Sequence, residues 1–222
     1  MVNYLNFLEQ SNLENSTIQD LWNSIFNLLQ DIDLLIPSKD HPTFIAGKLD
    51  NLSRLGYTTD PSNIKNQFTF DSESQRYLKI NFNTHQITGK TFLPGTLFLG
   101  FYLPKTLWVP SDGPTYFLFE SVQTVLNTYF PNAVSLKKPI CKMTFNEKKF
   151  GSSVIHEAPE YYISVRTIMV NYENYKDLVP FEELSGSGLP LIGIGDEFKQ
   201  IGQEFPYSEI CEAIAQDLNL KI

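Results

Sequence analysis

Five lysines fall within thirteen consecutive positions, Lys137, Lys138, Lys142, Lys148 and Lys149, with Glu147 as the one acid among them. Ammonium groups gathered in this way attract a small anion such as a carboxylate or a phosphate. A fixed one also stabilises negative charge that develops on those oxygens during group transfer. Cys141 stands between Lys138 and Lys142, whose charges would lower a thiol pKa if they converged on it. A buried, unreactive thiol is the simpler expectation. Cys211 falls inside an apolar helical pattern and is expected to pack. The three histidines, His41, His85 and His156, are too widely spaced to suggest a metal cluster, and His41 beside Pro42 reads as structural. No P-loop, GxGxxG, HExxH or GxSxG pattern is present. The GxG spacings within Gly186–Phe198 lead to no evident helix, which argues against a dinucleotide site.

The elements that must position these residues are legible to different degrees. Ile18, Leu21, Trp22, Ile25, Leu28, Leu29 and Ile32 recur at helical spacing over 17–35, with Ser16 and Gln19 as a capping box and Pro37 as the stop. His41–Lys48 reads as a strand, and Asp50–Leu55 as a turn of helix. Residues 56–75 are polar and read as an irregular loop. Tyr77–Phe82 and Gln86–Thr91 read as strands joined by a hairpin turn at Asn83–His85. Thr96–Leu103 is strongly apolar. A helix with Phe117, Leu118, Ser121, Val122, Val125, Leu126 and Tyr129 on one face follows Asp112-Gly113-Pro114 and ends at Pro131. Lys142–Phe145 and Lys149–Ile155 read as strands around the turn Asn146-Glu147. Ile163–Val170 is apolar except for Arg166 and Thr167, the mark of a central strand. Tyr172–Leu178 reads as a short helix, and Ser208–Leu218, with Ile210, Ile214 and Leu218 as its stripe, as a closing helix. Helices and short-turn strands in this order predict an α+β fold, a single domain with a mixed or antiparallel sheet flanked by helices.

The segment NEKKFGSSVI (Asn146–Ile155) resembles the hairpin of the biotin/lipoate protein ligase catalytic domain, in which a lysine after the turn precedes an apolar, small, Gly, small run. ISVRTIMVNYENYKDL (Ile163–Leu178) is similar to the strand of that family that ends in Asn. FPYSEICEAIAQDL (Phe205–Leu218) is similar to its closing helix. HPTFIAGK (His41–Lys48) and THQITGKTFLPGTL (Thr84–Leu97) resemble its His-Pro strand and its substrate loop with a Pro-Gly strand entry. The resemblance spans 41–218, with 1–40 as an N-terminal helical segment of the same domain. It implies acyl transfer: ATP activates a lipoyl, octanoyl or biotinyl carboxylate as an acyl-adenylate, and a lysine of a carrier-domain protein accepts the acyl group. It implies Lys149 as the catalytic residue and His85, Gly89, Gly95 and Thr167 as substrate-binding residues. The chain also departs from the family pattern. Its loop carries one glycine and no arginine where the family has Gly runs and paired Arg. Leu93 stands where many members have His. Cys141-Lys142 replaces Asn-Asp, so a carboxylate has become an ammonium, and no metal site is expected there.

Composition narrows the partners. The formal charge is −8, with 25 acidic and 17 basic residues in 222. Such a field repels phosphate backbones, so a nucleic-acid partner is not expected. Two cysteines without a CxxC pair suit a reducing compartment. The N-terminal residues show no leader pattern, and no run is apolar and long enough for a membrane span, so a cytoplasmic location is expected. Aromatic residues make up 14%, which predicts a ring-rich core. Three readings stay open: an active acyl ligase or transferase, with ATP and a lipoate-like group; a catalytically inactive relative that binds protein partners, with no cofactor; and an unrelated α/β domain.

Overall fold

The computed structural model describes residues 1–8, 40–49, 53–58, 68–71, 76–79, 87–92, 95–107, 114–137, 142–157, 159–174 and 189–222. Seven strands form one sheet in the order β1-β2-β7-β11-β10-β9-β8: β1 (Asn3–Phe7), β2 (Thr43–Leu49), β7 (Thr96–Pro104), β11 (Tyr161–Ile168), β10 (Lys148–Glu157), β9 (Lys142–Phe145) and β8 (Val134–Lys137). Only β1 and β2 run parallel; every other neighbouring pair is antiparallel. Two further pairs stand outside this sheet, β3 (Ser53–Thr58) with β6 (Ile87–Phe92) and β4 (Phe68–Asp71) with β5 (Arg76–Lys79). Among the described residues the helices are α1 (Pro114–Tyr129), α2 (Ile194–Gln200) and α3 (Tyr207–Lys221). The α+β class with a mixed sheet flanked by helices is the architecture that the sequence predicts.

Alternation along the strands divides the sheet into two faces. Leu97, Leu99, Phe101 and Leu103 of β7 join Phe44 and Ala46 of β2 in the core under α1 and α3. Helix α1 brings Leu118, Val122 and Leu126 at i, i+4 and i+8, and α3 brings Ile210, Ile214 and Leu218 with the same period. Each fully buried leucine of this set contributes about 1.5–3 kcal/mol of transfer free energy. Paired residues share a face, so Arg166, opposite Leu99, lies on the helix side of β11, while Thr167, opposite Phe98, lies on the other. Arg166 is fully buried there.

Rings close one end of the core. Phe130 packs edge-on against Phe145 and Phe198, Phe198 against Phe205, and Phe205 against Tyr207, with centroids 4.7–5.3 Å apart. This chain of rings ties the end of α1 to β9, α2 and the start of α3. The outer edge of β8 is also occupied. Val134 donates its N–H to Asn127 Oδ1 at 3.2 Å, and its carbonyl accepts from Gln123 Nε2 at 2.8 Å, so α1 side chains satisfy groups that would otherwise template another strand.

Several local expectations need correction. Part of Asp50–Leu55 is strand and not helix, since β3 begins at Ser53 and pairs with β6. The stretch 56–75 is not wholly irregular, because β3 runs into it and β4 lies within it. Strands near Tyr77–Phe82 and Gln86–Thr91 exist as β5 and β6, but they pair with β4 and β3 and not with each other. Strands β1 and β8 and helix α2 escape the pattern reading; in particular, the glycines near 193–195 do lead into a helix. The helix expected at 17–35 and most of the one at Tyr172–Leu178 lie outside the described residues. Among the described residues no helix is long and apolar enough to cross a membrane.

Candidate functional site

The lysine-bearing hairpin is built by its turn. Asn146 and Glu147 both take positive φ, 45° and 67°, the combination that a two-residue hairpin loop needs to match the right-handed twist of its strands. Phe145 and Lys148 flank the turn as a pair, and Lys149 pairs with Thr144. The register then shifts between Lys149 and Gly151, a β-bulge at Phe150. On its other side Lys149 is held by a different segment. Its N–H donates to the Pro190 carbonyl at 2.7 Å, and its carbonyl accepts from Ile192 N–H at 3.0 Å. Both backbone groups of Lys149 are therefore fixed from that side, and β11 takes over as neighbour only from Gly151 onward.

Cross-strand register shows which side chains share the face turned away from α1 and α3. Lys137 pairs with Lys142, Lys142 with Ser152, Ser152 with Thr167, and Thr167 with Phe98, a continuous row over β8, β9, β10, β11 and β7. A second row beside it holds Ser135, Thr144 and Lys149. Hydroxyls link up within the rows: Ser152 Oγ lies 3.0 Å from Thr167 Oγ1, and Ser135 Oγ lies 2.8 Å from Thr144 Oγ1. Lys137 forms an ion pair with Glu147 of the turn. Partial burial pushes the Lys142 ammonium below its ordinary pKa. Among the described residues no three His, Cys, Asp or Glu side chains gather as a metal site.

Gly95 sits at the same end of the sheet. Gly151, Ile168 and Leu97 form one row; Lys149 and Gly95 each lie two residues beyond it on their own strands. Gly95 has φ +82°, and its carbonyl accepts the Tyr207 hydroxyl at 2.6 Å. A Cβ there would stand 2.4 Å from Asn171 Nδ2, so the position requires glycine on both counts. Between Lys149 and Gly95 the chain leaves β11 through Met169, Val170 and Asn171. The carbonyls of Met169 and Val170 accept from the first N–H groups of α2, Ile194 and Gly195, each at 2.9 Å. Asp196, 9% exposed, then accepts the N–H groups of Tyr172 and Glu173 at 2.8 and 3.1 Å. The far end of β11 is thereby clamped to α2.

Comparison with solved structures bears on this arrangement. Lipoate-protein ligase A bound with ATP superposes with a TM-score of 0.61 at 10% identity, over 99% of this chain and 83% of that one. LipL1 of P. falciparum in complex with lipoate gives 0.59 at 12%, over 100% of this chain and 60% of that one. Biotin protein ligase of Leishmania major in complex with biotin gives 0.53 at 12%, over 98% and 72%. This is the fold of the biotin and lipoate protein ligases. No family model matches the sequence, and no curated protein does. At these identities the likeness concerns the fold.

Within this ligase fold, three of the five residues singled out from sequence, Lys149, Thr167 and Gly95, come together at one end of the sheet on β10, β11 and the entry to β7. Gly89 lies in β6, opposite Gly56. His85 and Cys141 lie outside the described residues. His41 is exposed at the entry to β2, and Cys211 is buried against Tyr4 with its thiol pushed up to about 12 by burial, as expected of a packing residue. Sequence reasoning named Lys142 only as one of the lysine cluster, and passed over Thr144 and Ser152 as parts of the site. Their signal was the period-2 alternation of Lys142 and Thr144 with Met143 and Phe145. Asp196 gave no signal at all, because its partners are backbone groups more than twenty residues away.

Proposed function

We propose that this chain carries out acyl transfer of the biotin/lipoate-ligase kind, on a lipoyl, octanoyl or biotinyl group, with a lysine of a carrier-domain protein as acceptor. ATP is the activating co-substrate: a carboxylate oxygen attacks its α-phosphorus and pyrophosphate leaves; the carrier lysine amine then attacks the acyl carbon and AMP leaves. The observation that carries this reading is the setting of Lys149, with backbone N–H and C=O both fixed by residues 190–192, on a strand face shared with Lys142, Ser152 and Thr167. A fixed ammonium beside the reacting oxygens stabilises the charge that develops on them, by roughly 3–4 kcal/mol for one donor in a dry site. The hydroxyls of Ser152 and Thr167, 3.0 Å apart, add a polar pair to the same face.

One observation favours a second reading, a non-catalytic relative that binds protein partners. Ile45, Phe98, Tyr102, Ile163 and Val165 on the same face are each 4% exposed or less, and an acyl chain lodged there would have to displace the packing around them. A thermal-shift panel of ATP, AMP, lipoate, octanoate, biotin and a non-hydrolysable acyl-adenylate on wild type and Lys149→Ala separates the two. At a hundred times its dissociation constant the adenylate stabilises by about 2.7 kcal/mol, a rise of about 5–10 °C for a domain of this size. The rise is expected in wild type and absent in Lys149→Ala. A flat panel in both proteins refutes the acyl-transfer reading and favours the second.

A further inference from the structure

We propose that Asp196 is a positioning residue for Lys149: it locks the segment 190–196, which replaces β11 as the neighbour of Lys149, and so fixes the backbone that carries the Lys149 ammonium. What the ammonium does there rests on the acyl-transfer reading; the hold on its backbone rests on geometry of its own. Pairing of β10 with β11 begins only at Gly151, and the ladder to β9 is broken by the bulge just after Lys149. Regular pairing therefore fails beside Lys149 on both sides. Segment 190–196 makes good the loss. Leu191 forms a parallel bridge with Lys149, closed by the 2.7 Å bond from Lys149 N–H to the Pro190 carbonyl and the 3.0 Å bond from Ile192 N–H to the Lys149 carbonyl.

The other end of this segment is tied to the exit of β11. Ile194 and Gly195 donate to the carbonyls of Met169 and Val170, and Asp196 Oδ2 accepts from both Tyr172 and Glu173. Bonds from N–H groups to a carboxylate are charge-assisted and among the stronger ones available to a backbone. Gly193 lets the two chains touch: a Cβ there would stand 2.4 Å from the Val170 carbonyl and 2.6 Å from Tyr172 N, both backbone atoms. Residues 193–195 alone separate Ile192, which holds Lys149, from Asp196. Without the carboxylate the segment loses its anchor on 172–173 and can shift with Lys149 upon it. In a reacting site a misplacement of about 1 Å can cost a hundredfold in rate.

Hydrogen exchange and isothermal titration of the full chain test this, with the sulfamoyl analogues of lipoyl-, octanoyl- and biotinyl-adenylate as probes. The variants are Asp196→Ala, Asp196→Asn, Lys149→Ala and Leu218→Ala. Asparagine keeps a carbonyl oxygen for the two N–H groups, and Leu218 is fully buried near the end of α3 away from Tyr207. In Asp196→Ala the Lys149 and Ile192 amides are expected to exchange about tenfold faster relative to those in the middle of β11. The analogue that wild type binds should bind about tenfold more weakly. Asp196→Asn should restore both, and Leu218→Ala should lower Tm and leave both unchanged. If the alanine variant does not fold, Asp196→Glu, whose carboxylate is displaced by one methylene, is read in its place with the same expectations. Lys149 exchange that the Asp196 change leaves unmoved, or affinity lost equally in Leu218→Ala, overturns the proposal. If Lys149→Ala abolishes binding and the Asp196 change leaves it intact, Asp196 falls as a positioning residue and acyl transfer stands. If no analogue binds wild type, yet the Asp196 change frees the Lys149 amide and Asp196→Asn does not, acyl transfer falls and the hold on Lys149 stands.

Discussion

Replacement of Gly95 by alanine perturbs the point where β7 begins and where α3 touches the candidate site. The backbone there has φ +82°, and an L-residue in that region costs about 1–2 kcal/mol from the contact of its Cβ with the following carbonyl. The new Cβ would also stand 2.4 Å from Asn171 Nδ2 and 2.9 Å from the Tyr207 hydroxyl. Both are side-chain ends and can withdraw, but Tyr207 holds the Gly95 carbonyl at 2.6 Å. Withdrawal gives up that hydrogen bond, worth about 0.5–1.5 kcal/mol. The sum is about 1.5–3.5 kcal/mol, read as a lowered urea midpoint at unchanged slope, or as a fall in Tm of about 3–14 °C. Tyr207→Phe alone should cost about 0.5–1.5 kcal/mol. Because it also removes one clash, the double variant should lose less than the sum of the two singles. A Gly95→Ala protein that unfolds within about 0.5 kcal/mol of wild type, the range of an ordinary surface change, would refute the close-packed left-handed turn and the link from β7 to α3 that it provides.

Asp196→Ala should destabilise by about 2–4 kcal/mol, since it strips two backbone N–H groups, of Tyr172 and Glu173, of a carboxylate acceptor; hydrogen exchange at those two amides should accelerate while the centre of β11 stays protected. Gly151→Ala should be worse tolerated than an average substitution, because its Cβ would meet the Thr167 carbonyl at 2.8 Å, and backbone in a central ladder cannot retreat. The β10–β11 pairing should loosen beside Lys149, with a lower Tm and a weakened adenylate response together. Cys211 should resist thiol reagents until the chain unfolds. Its pKa is raised from 9.0 to about 12, so the folded state holds a proton that the unfolded state releases. Stability is therefore full below pH 9 and falls by about 1.4 kcal/mol per pH unit from there towards pH 12. Tyr4, raised by burial, adds in the same direction, and the difference between wild type and Cys211→Ala in alkaline unfolding isolates the thiol. Equal slopes in the two proteins would show that Cys211 is not held neutral by burial.

The elements read correctly from sequence are those whose pattern is strong over their own length. Helix α1 repeats its apolar positions at a period of 3.6 between Pro114 and Pro131, α3 does so around Ile210, Ile214 and Leu218, and β7 and β11 are apolar enough to be central strands wherever they pair. The Asn146-Glu147 turn was equally plain, and the order of short motifs along the chain pointed to the ligase fold. These properties depend on residues close in sequence, so tertiary packing had only to accept them. Other features carried no such local mark. Strands β5 and β6 look like a hairpin from sequence, yet β5 pairs with β4, which ends only four residues before it, and β6 pairs with β3 across a long connection. Strands β1 and β8 span five and four residues, too short for a periodicity to declare itself. Helix α2 runs seven residues and is anchored by strand-end carbonyls and by Asp196, which clasps backbone more than twenty residues away. The lysine cluster was visible as a cluster, but which of its members meet was not. Lys137, Lys142 and Lys149 share a face only because β8, β9 and β10 pair in one register, broken by one bulge at Phe150. A slip of one residue would turn each of them to the other side of the sheet, and that register is set by long-range hydrogen bonding and by burial of Met143, Phe145 and Phe150, which no short stretch of sequence contains.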